Sequence, residues 1–306
     1  MRVFIAGGSG FIGTALCRAL IRSGHSPVVL TRGTPRALPP GVSAVGWNGR
    51  DGEGWAHLLE RDSAVVNLAG ENIAAGRWTP ERKERILRSR LAAGQAVAEA
   101  VARAPEAPRV LVQASAVGWY GPRGPELLDE SAASGQGFLA EVCRRWEESS
   151  AAVEAGGTRR CVLRTGLVLG PGGALTRMLP PFRFFLGGPL GDGRQGVSWI
   201  HLDDEAQAIR FLIENEDCSG PYNLTAPDPV DSRTFAKALG RALGRPSWLP
   251  APGAALRLLL GEMASEVLLS GQFVRPTRLL AAGYRFLRPD LDGALRASLH
   301  PSREAA

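Results

Sequence analysis

The chain is short of cysteine, histidine and above all lysine, and each shortage closes off a class of function. Its four cysteines, Cys17, Cys143, Cys161 and Cys218, stand singly rather than in the paired spacings of zinc or redox motifs. Few, scattered thiols suit a reducing compartment. The four histidines, His25, His57, His201 and His300, do not cluster, which disfavours a metal site. No apolar run reaches membrane-spanning length without Arg, Glu, Gly or Pro interrupting it, so no membrane partner is expected. Met1-Arg2 leads straight into an apolar strand with no signal peptide, and the expected localisation is cytoplasmic. Lys83 and Lys237 are the only lysines, and the remaining basic residues are arginines. A net charge of +6 and a pI near 9.7 raise the question of a nucleic-acid partner. The arginines are scattered, however. Their densest run, Arg82 to Arg90, is interleaved with Glu84 and follows Glu81. That pattern reads as a solvated helix face, and no nucleic-acid partner is expected.

What is present is an ordinary globular balance, with 44% hydrophobic and 22% charged residues over 306 positions. That length can bury one large or two modest cores. Strands and helices alternate through the first half. Arg2 to Ala6 reads as a buried strand, Phe11 to Ser23 as a helix with Ile12, Ala15, Leu16, Leu20 and Ile21 on one face, and Pro27 to Thr31 as a second strand. Short strands follow at Ser43 to Trp47 and Ala64 to Leu68. Thr79-Pro80-Glu81 is a helix start, with a capping threonine and proline at the first helical position; that helix should run to about Arg103. Val110 to Ala114 and Arg160 to Val168 read as further strands around a helix over Phe138 to Ala155. This alternation predicts an α/β, doubly wound parallel sheet with right-handed crossovers. From Pro171 to Gly196 the chain turns rich in Gly and Pro. A strand at Val197 to His201, a helix over Glu205 to Asn215 and a strand at Pro221 to Leu224 follow. The expected division is a nucleotide-binding domain over 1–170 plus about 200–225, and a smaller discontinuous substrate lobe over about 171–199 plus 226–306.

The turn Gly7-Gly8-Ser9-Gly10-Phe11-Ile12-Gly13 carries G-x-x-G-x-x-G between the first strand and the first helix. Residues without Cβ let the backbone approach a pyrophosphate, and the helix N-terminus adds N–H donors and a favourable dipole. The position between strand and helix makes the motif informative. Gly7, Ser9, Gly10, Phe11, Ile12 and Gly13 are therefore candidate cofactor-binding residues. The second strand ends in Thr31-Arg32, without the carboxylate that would hold a ribose 2′-hydroxyl. A guanidinium beside a hydroxyl suits a 2′-phosphate, so the predicted cofactor is NADP(H) rather than NAD(H). Asn48, after the third strand, is a candidate adenine contact.

These residues resemble a known family. Gly7-x-x-Gly10-x-x-Gly13 is similar to the fingerprint of extended short-chain dehydrogenases/reductases. More specifically, the chain resembles their epimerase-like YfcH and SDR39U-type branch. The segments that carry the resemblance include Asn67-Leu68-Ala69-Gly70-Glu71-Asn72-Ile73, Arg77-Trp78-Thr79 and Ser115-Ala116-Val117-Gly118-Trp119-Tyr120-Gly121. They continue with Arg164-Thr165-Gly166-Leu167-Val168-Leu169-Gly170, Met178-Leu179-Pro180-Pro181-Phe182-Arg183, Gly187-Gly188-Pro189-Leu190-Gly191 and Trp199-Ile200-His201-Leu202-Asp203-Asp204. The resemblance extends to Arg275-Pro276 and Ala282-Gly283-Tyr284. It implies a Rossmann-like domain, a smaller C-terminal substrate lobe and bound NADP(H). By the same resemblance Ala69, Gly70 and Glu71 would line the cofactor, Arg77 would reach a cofactor phosphate, and Arg164 would meet the cofactor or the lobe interface.

The resemblance also exposes a gap. Short-chain dehydrogenases use Tyr-x-x-x-Lys, in which the lysine lowers the tyrosine pKa and holds the ribose. Four residues beyond Tyr120, Tyr222 and Tyr284 stand Gly124, Ala226 and Arg288. On the expected helix, alignment by Trp146-Glu147 puts Leu139 and Cys143 at the dyad positions. The helix asparagine of many relatives is replaced around Ser89-Arg90. Ser115, at its strand end, is the candidate substrate-orienting hydroxyl, and Tyr120 the candidate substitute acid. His201 is a further possible donor, although its setting in His-x-Asp-Asp suits a structural network. The expected activity is an NADP(H)-dependent oxidoreductase or epimerase-like enzyme acting on a carbonyl or hydroxyl small molecule. The alternative is a non-catalytic NADP(H)-binding regulator. Relatives of this fold often form a homodimer through helices like Pro80 to Arg103 and Phe138 to Ala155, and the sequence leaves the oligomeric state open.

Overall fold

The computed structural model describes residues 1–33 and 38–300. In chain order the strands are β1 (Arg2–Ala6), β2 (Ser26–Thr31), β3 (Ser43–Gly46), β4 (Ser63–Asn67), β5 (Val110–Ala116), β6 (Leu127–Leu128), β7 (Arg159–Thr165), β8 (Leu167–Leu169), β9 (Gly196–Val197), β10 (Trp199–His201), β11 (Gly220–Leu224), β12 (Val230–Asp231) and β13 (Phe273–Val274). The helices are α1 (Phe11–Arg22), α2 (Pro80–Ala102), α3 (Phe138–Glu148), α4 (Gly173–Arg183), α5 (Leu202–Glu214), α6 (Ser232–Leu243), α7 (Gly253–Leu260), α8 (Thr277–Ala281) and α9 (Leu291–Leu299). Seven strands form one sheet in the order β11-β7-β5-β4-β1-β2-β3. Every pairing in it is parallel.

Alternation along β1 shows how the layers arise. Val3 and Ile5 point to the side covered by Leu16 and Leu20 of α1 and Ile209 and Leu212 of α5. Phe4 and Ala6 point to the other side, against Ala93, Ala96 and Val97 of α2 and Trp55. A strand buried on both faces needs apolar residues at every position, which is why β1 and β4 read as continuous runs. Each fully buried aliphatic or Phe side chain here contributes about 1.5–3 kcal/mol. A third core, outside the main sheet, gathers Leu169, Leu175, Phe182, Trp199, Phe235, Leu239 and Leu295.

Local signals account for several boundaries. The Thr79 side chain accepts from the Arg82 N–H at 3.3 Å, with Pro80 opening α2. The helix expected to run to Ala155 instead stops at Glu148 and resumes as a 3-10 turn over Ala151–Gly156. Ser149 Oγ donates to the Trp146 carbonyl at 2.7 Å, the local bonding by which serine competes with helix continuation. The single strand expected over Arg160 to Val168 is two. At Gly166 the chain leaves the sheet: its N–H bonds the Leu224 carbonyl at 3.0 Å, and the next N–H, of Leu167, bonds Ser198 at 2.7 Å. A Cβ on Gly166 would lie 2.5 Å from that Ser198 oxygen, so only glycine allows the transfer from β7 to the β8–β10 pair.

Candidate functional site

Strand order reverses between β1 and β4, which are direct neighbours whose connections lead to opposite sides of the sheet. A crevice forms at such a switch point beyond the carboxyl ends of the strands. Its walls are the glycine turn after β1 and residues 68–71 after β4. Gly7 has φ +79°, and a Cβ there would sit 2.9 Å from the Leu68 carbonyl. A Cβ on Gly13 would lie 2.4 Å from Gly7 O, so this glycine lets α1 start directly under its own turn.

Gly10 caps α1 without a side-chain hydrogen bond. The first N–H of the helix with an acceptor is that of Thr14, bonded to Gly10 O at 2.9 Å. The N–H groups of Phe11, Ile12 and Gly13 have no acceptor among the described residues. Ser9 and Gly10 are exposed at this mouth. Three free donors at a positive helix end, beside backbone that carries no Cβ, fit an anionic diphosphate. The Phe11 ring serves a packing role as well. It supports the start of α4, where a Cβ on Gly173 would come within 2.8 Å of it.

Thr31 and Arg32 stand at the end of β2, next in the sheet beyond β1. Thr31 Oγ1 donates to Gly33 O at 3.0 Å. Arg32 is exposed and forms no ion pair with the described residues. Asn48 is close by, since Arg32 Cδ would lie 3.3 Å from a Cβ on Gly49. The Asn48 amide is committed to its own turn: Oδ1 accepts from Arg50 and Asp51 N–H at 2.8 and 3.2 Å, and Nδ2 donates to Asp51. Asn48 therefore shapes the loop against which Arg32 lies, with its Oδ1 and one N–H of Nδ2 engaged there.

On the opposite wall, Ala69 N–H bonds Asn67 Oδ1 at 3.2 Å and Gly70 is exposed. The Glu71 carboxylate faces Arg82 at 3.2 Å and Arg85 at 3.6 Å. Arg77 is placed away from the glycine turn. It reaches toward the Leu258 carbonyl at 3.5 Å, and a Cβ on Gly261 would be 3.0 Å from its Nε. It thus joins the loop after β4 to α7.

The expected catalytic residues require correction. Tyr120 is 0% exposed, and its hydroxyl donates to Asn223 Oδ1 at 2.7 Å while Arg164 Nη1 donates to it at 3.2 Å. Burial raises its pKa further. A sealed, doubly bonded phenol is a structural hydrogen-bonding group, not an available acid. Arg164 is 4% exposed and pairs with both oxygens of Glu147 at 3.1 Å, with its guanidinium 3.9 Å from the Trp119 ring centroid. These buried partners occupy the guanidinium in place of a cofactor phosphate: Nη1 also reaches Glu130 O, and the Glu130 carboxylate accepts the Arg278 N–H of α8. Ser115 Oγ donates to the same Glu147 at 2.7 Å and is 4% exposed. At the dyad positions, Cys143 is buried and its thiol is pushed up to about 11, by burial first and the Glu147 charge second. Leu139 packs beside it against Gly118. His201 caps α5, its Nδ1 accepting from Asp203 N–H at 3.1 Å, which is the structural network its sequence setting suggests.

Two residues near the crevice were not singled out from sequence. Ser89 accepts the Glu71 N–H at 3.0 Å and so fixes the loop after β4. Arg90 donates through Nη1 to the Glu71 and Ile86 carbonyls, both at 3.0 Å, and lies over Trp146. The one available signal was their position on α2 where relatives carry an asparagine. Across the mouth, Arg177 of α4 donates to Ala74 O. Among the described residues no group of His, Cys, Asp and Glu is arranged to hold a metal ion. No helix among them is long and apolar enough to cross a membrane.

Comparison with known proteins agrees with this architecture. Residues 3–225 match the NAD dependent epimerase/dehydratase family, and residues 251–298 match a domain of unknown function, DUF1731. The chain is 40% identical to the epimerase family protein YfhF of Bacillus subtilis over 296 residues, covering 96% of this chain and 97% of that one. It is 37% identical to human epimerase family protein SDR39U1, covering 97% and 99%. The crystal structure of human SDR39U1 isoform 2 with NADPH superposes with a TM-score of 0.87 at 36% identity, over 97% of this chain and 99% of that one. Thermus thermophilus UDP-glucose 4-epimerase, in complex with NAD, shares the fold with a TM-score of 0.78 at 22% identity, over 98% of each chain.

Proposed function

Since the chain belongs to the NAD dependent epimerase/dehydratase family, we propose that it binds NADP(H) across the β1/β4 crevice and acts as an oxidoreductase on a small carbonyl or hydroxyl compound. The observation that carries this reading is the set of free N–H groups at Phe11, Ile12 and Gly13, with Arg32, which has no ion pair among the described residues, at the neighbouring strand end. An anion of two linked phosphates suits the first, and a 2′-phosphate suits the second. The human relative crystallised with NADPH supports the same cofactor. When bound, the nicotinamide supplies the hydride chemistry, and the chain binds and orients it. Glu147, Arg164 and Tyr120 hold the end of β5 rigid beside it. With Tyr120 sealed, the proton for carbonyl reduction is drawn from solvent rather than from that phenol.

Calorimetry with NADPH and NADH tests the cofactor. We expect NADPH to bind at least about tenfold more tightly, and Arg32→Ala to remove most of that preference. Equal affinities in the unaltered protein would refute the cofactor choice. A second reading, an NADP(H)-binding regulator without turnover, is favoured by Leu139 and Cys143 at the dyad positions. Absence of NADPH oxidation across a broad carbonyl panel, with tight NADPH binding retained, would select it.

A further inference from the structure

Arg90 is a part-buried cation that forms no ion pair among the described residues. Its Cζ lies 4.8 Å from the Trp146 ring centroid. Nη1 is held by two backbone carbonyls. The nearest acid in sequence contact, Glu71, turns its carboxylate to Arg82 and Arg85. Burying a guanidinium without a direct ion pair is costly; burial lowers its pKa, and the Glu71 charge offsets this only in part. Yet Nε and Nη2 form no hydrogen bond among the described residues, and neither belongs to the sealed, unpartnered polar atoms. That edge of the guanidinium therefore reaches open space.

The open space is the crevice. A Cβ on Gly70 would lie 3.2 Å from Arg90 Cζ, so Gly70 leaves the guanidinium uncovered. The carboxyl edge of the sheet runs β2, β1, β4, β5. A dinucleotide with its 2′-phosphate at Arg32 and its diphosphate at Gly10 to Gly13 next passes Gly70. Arg90 thus stands at the far half of such a ligand. It lies over Trp146, one turn along α3 from Cys143, the position where a dyad lysine would stand.

We propose that Arg90 is a cofactor-binding residue whose free Nε and Nη2 donate to oxygens of the nicotinamide half of NADP(H), its phosphate and ribose. It would supply from α2 a positive charge that α3, with Cys143, does not. The proposal rests on the NADP(H) reading above. Two ligands separate the halves: NADPH, and adenosine 2′,5′-bisphosphate, which ends at the first phosphate. Calorimetry on Arg90→Met, which keeps a long side chain over Trp146, should show NADPH weakened by about tenfold or more. Adenosine 2′,5′-bisphosphate should keep its affinity within about twofold. Arg90→Lys should recover part of the NADPH affinity, and it decides the matter if the methionine variant does not fold. Unchanged NADPH affinity in either variant overturns the proposal, as does an equal loss for both ligands. Failure of the unaltered protein to bind NADPH refutes the cofactor reading itself, a separate outcome.

Discussion

Glu147 accepts from Ser115 and from both sides of the Arg164 fork, and Arg164 in turn holds Tyr120. All four side chains are buried, so each polar atom depends on the others for the hydrogen bonds that water would otherwise make. Removing one member strands a charge. Arg164→Ala should therefore destabilise the fold by about 3–5 kcal/mol, read from urea denaturation. Tyr120→Phe should cost about 1–2 kcal/mol, because it removes only the hydroxyl between Arg164 and Asn223. Its NADPH affinity should match that of the unaltered protein; a large loss of affinity with unchanged stability would place the phenol back in the site. The residue types at these positions were legible in the sequence, but their roles were not. Nothing in the spacing of Ser115, Glu147 and Arg164 says that three elements bring Ser115 and Arg164 within 3.1 Å of the Glu147 carboxylate.

At the scale of elements, the glycine turn and α1 act as one device. Gly13 sits over Gly7 and Gly8, and a Cβ there meets backbone that cannot move aside. Gly13→Ala should push α1 away from its turn and abolish measurable NADPH binding, while most of the helical circular dichroism remains. Retained binding would show that the N–H groups of Phe11 to Gly13 are not the anion site. This device was readable because its signals are local: a strand, a Cβ-free turn and an amphipathic helix in succession. By contrast, α4 contains Pro180 and Pro181, residues that forbid helical N–H bonds at their own positions, and the sequence there reads as a stretch rich in Gly and Pro. Tertiary packing of Leu175, Leu179 and Phe182 into the third core makes the helix. The same holds at Gly166, where a run apolar enough for one strand is divided between two sheets.

Over the whole molecule, buried acids set how stability responds to pH. Glu205 is 0% exposed, receives only the Thr165 hydroxyl at 2.8 Å, and burial raises its pKa from 4.5 to about 8. It is protonated in the folded chain and ionised in the unfolded chain between those values. Unfolding in that window releases a proton, so this group's contribution falls as pH rises from 4.5 to about 8. Glu205→Gln, which stays neutral, should flatten that part of the profile of melting temperature against pH. An identical slope in both proteins would mean that Glu205 is charged when folded.

The sequence by itself determined the parallel α/β class, the glycine turn and the absence of an acid at the end of β2, because each depends on residues adjacent along the chain. Only the tertiary structure decided which polar groups are free. It sealed Tyr120 and Arg164 behind Glu147, turned Asn48 onto its own loop and Arg77 toward α7, and left Arg90 open beside Gly70. The physical reason is desolvation. Whether a donor meets a ligand or a buried partner depends on what folds over it, and for Tyr120, Arg164 and Arg77 those groups come from segments far away in the chain.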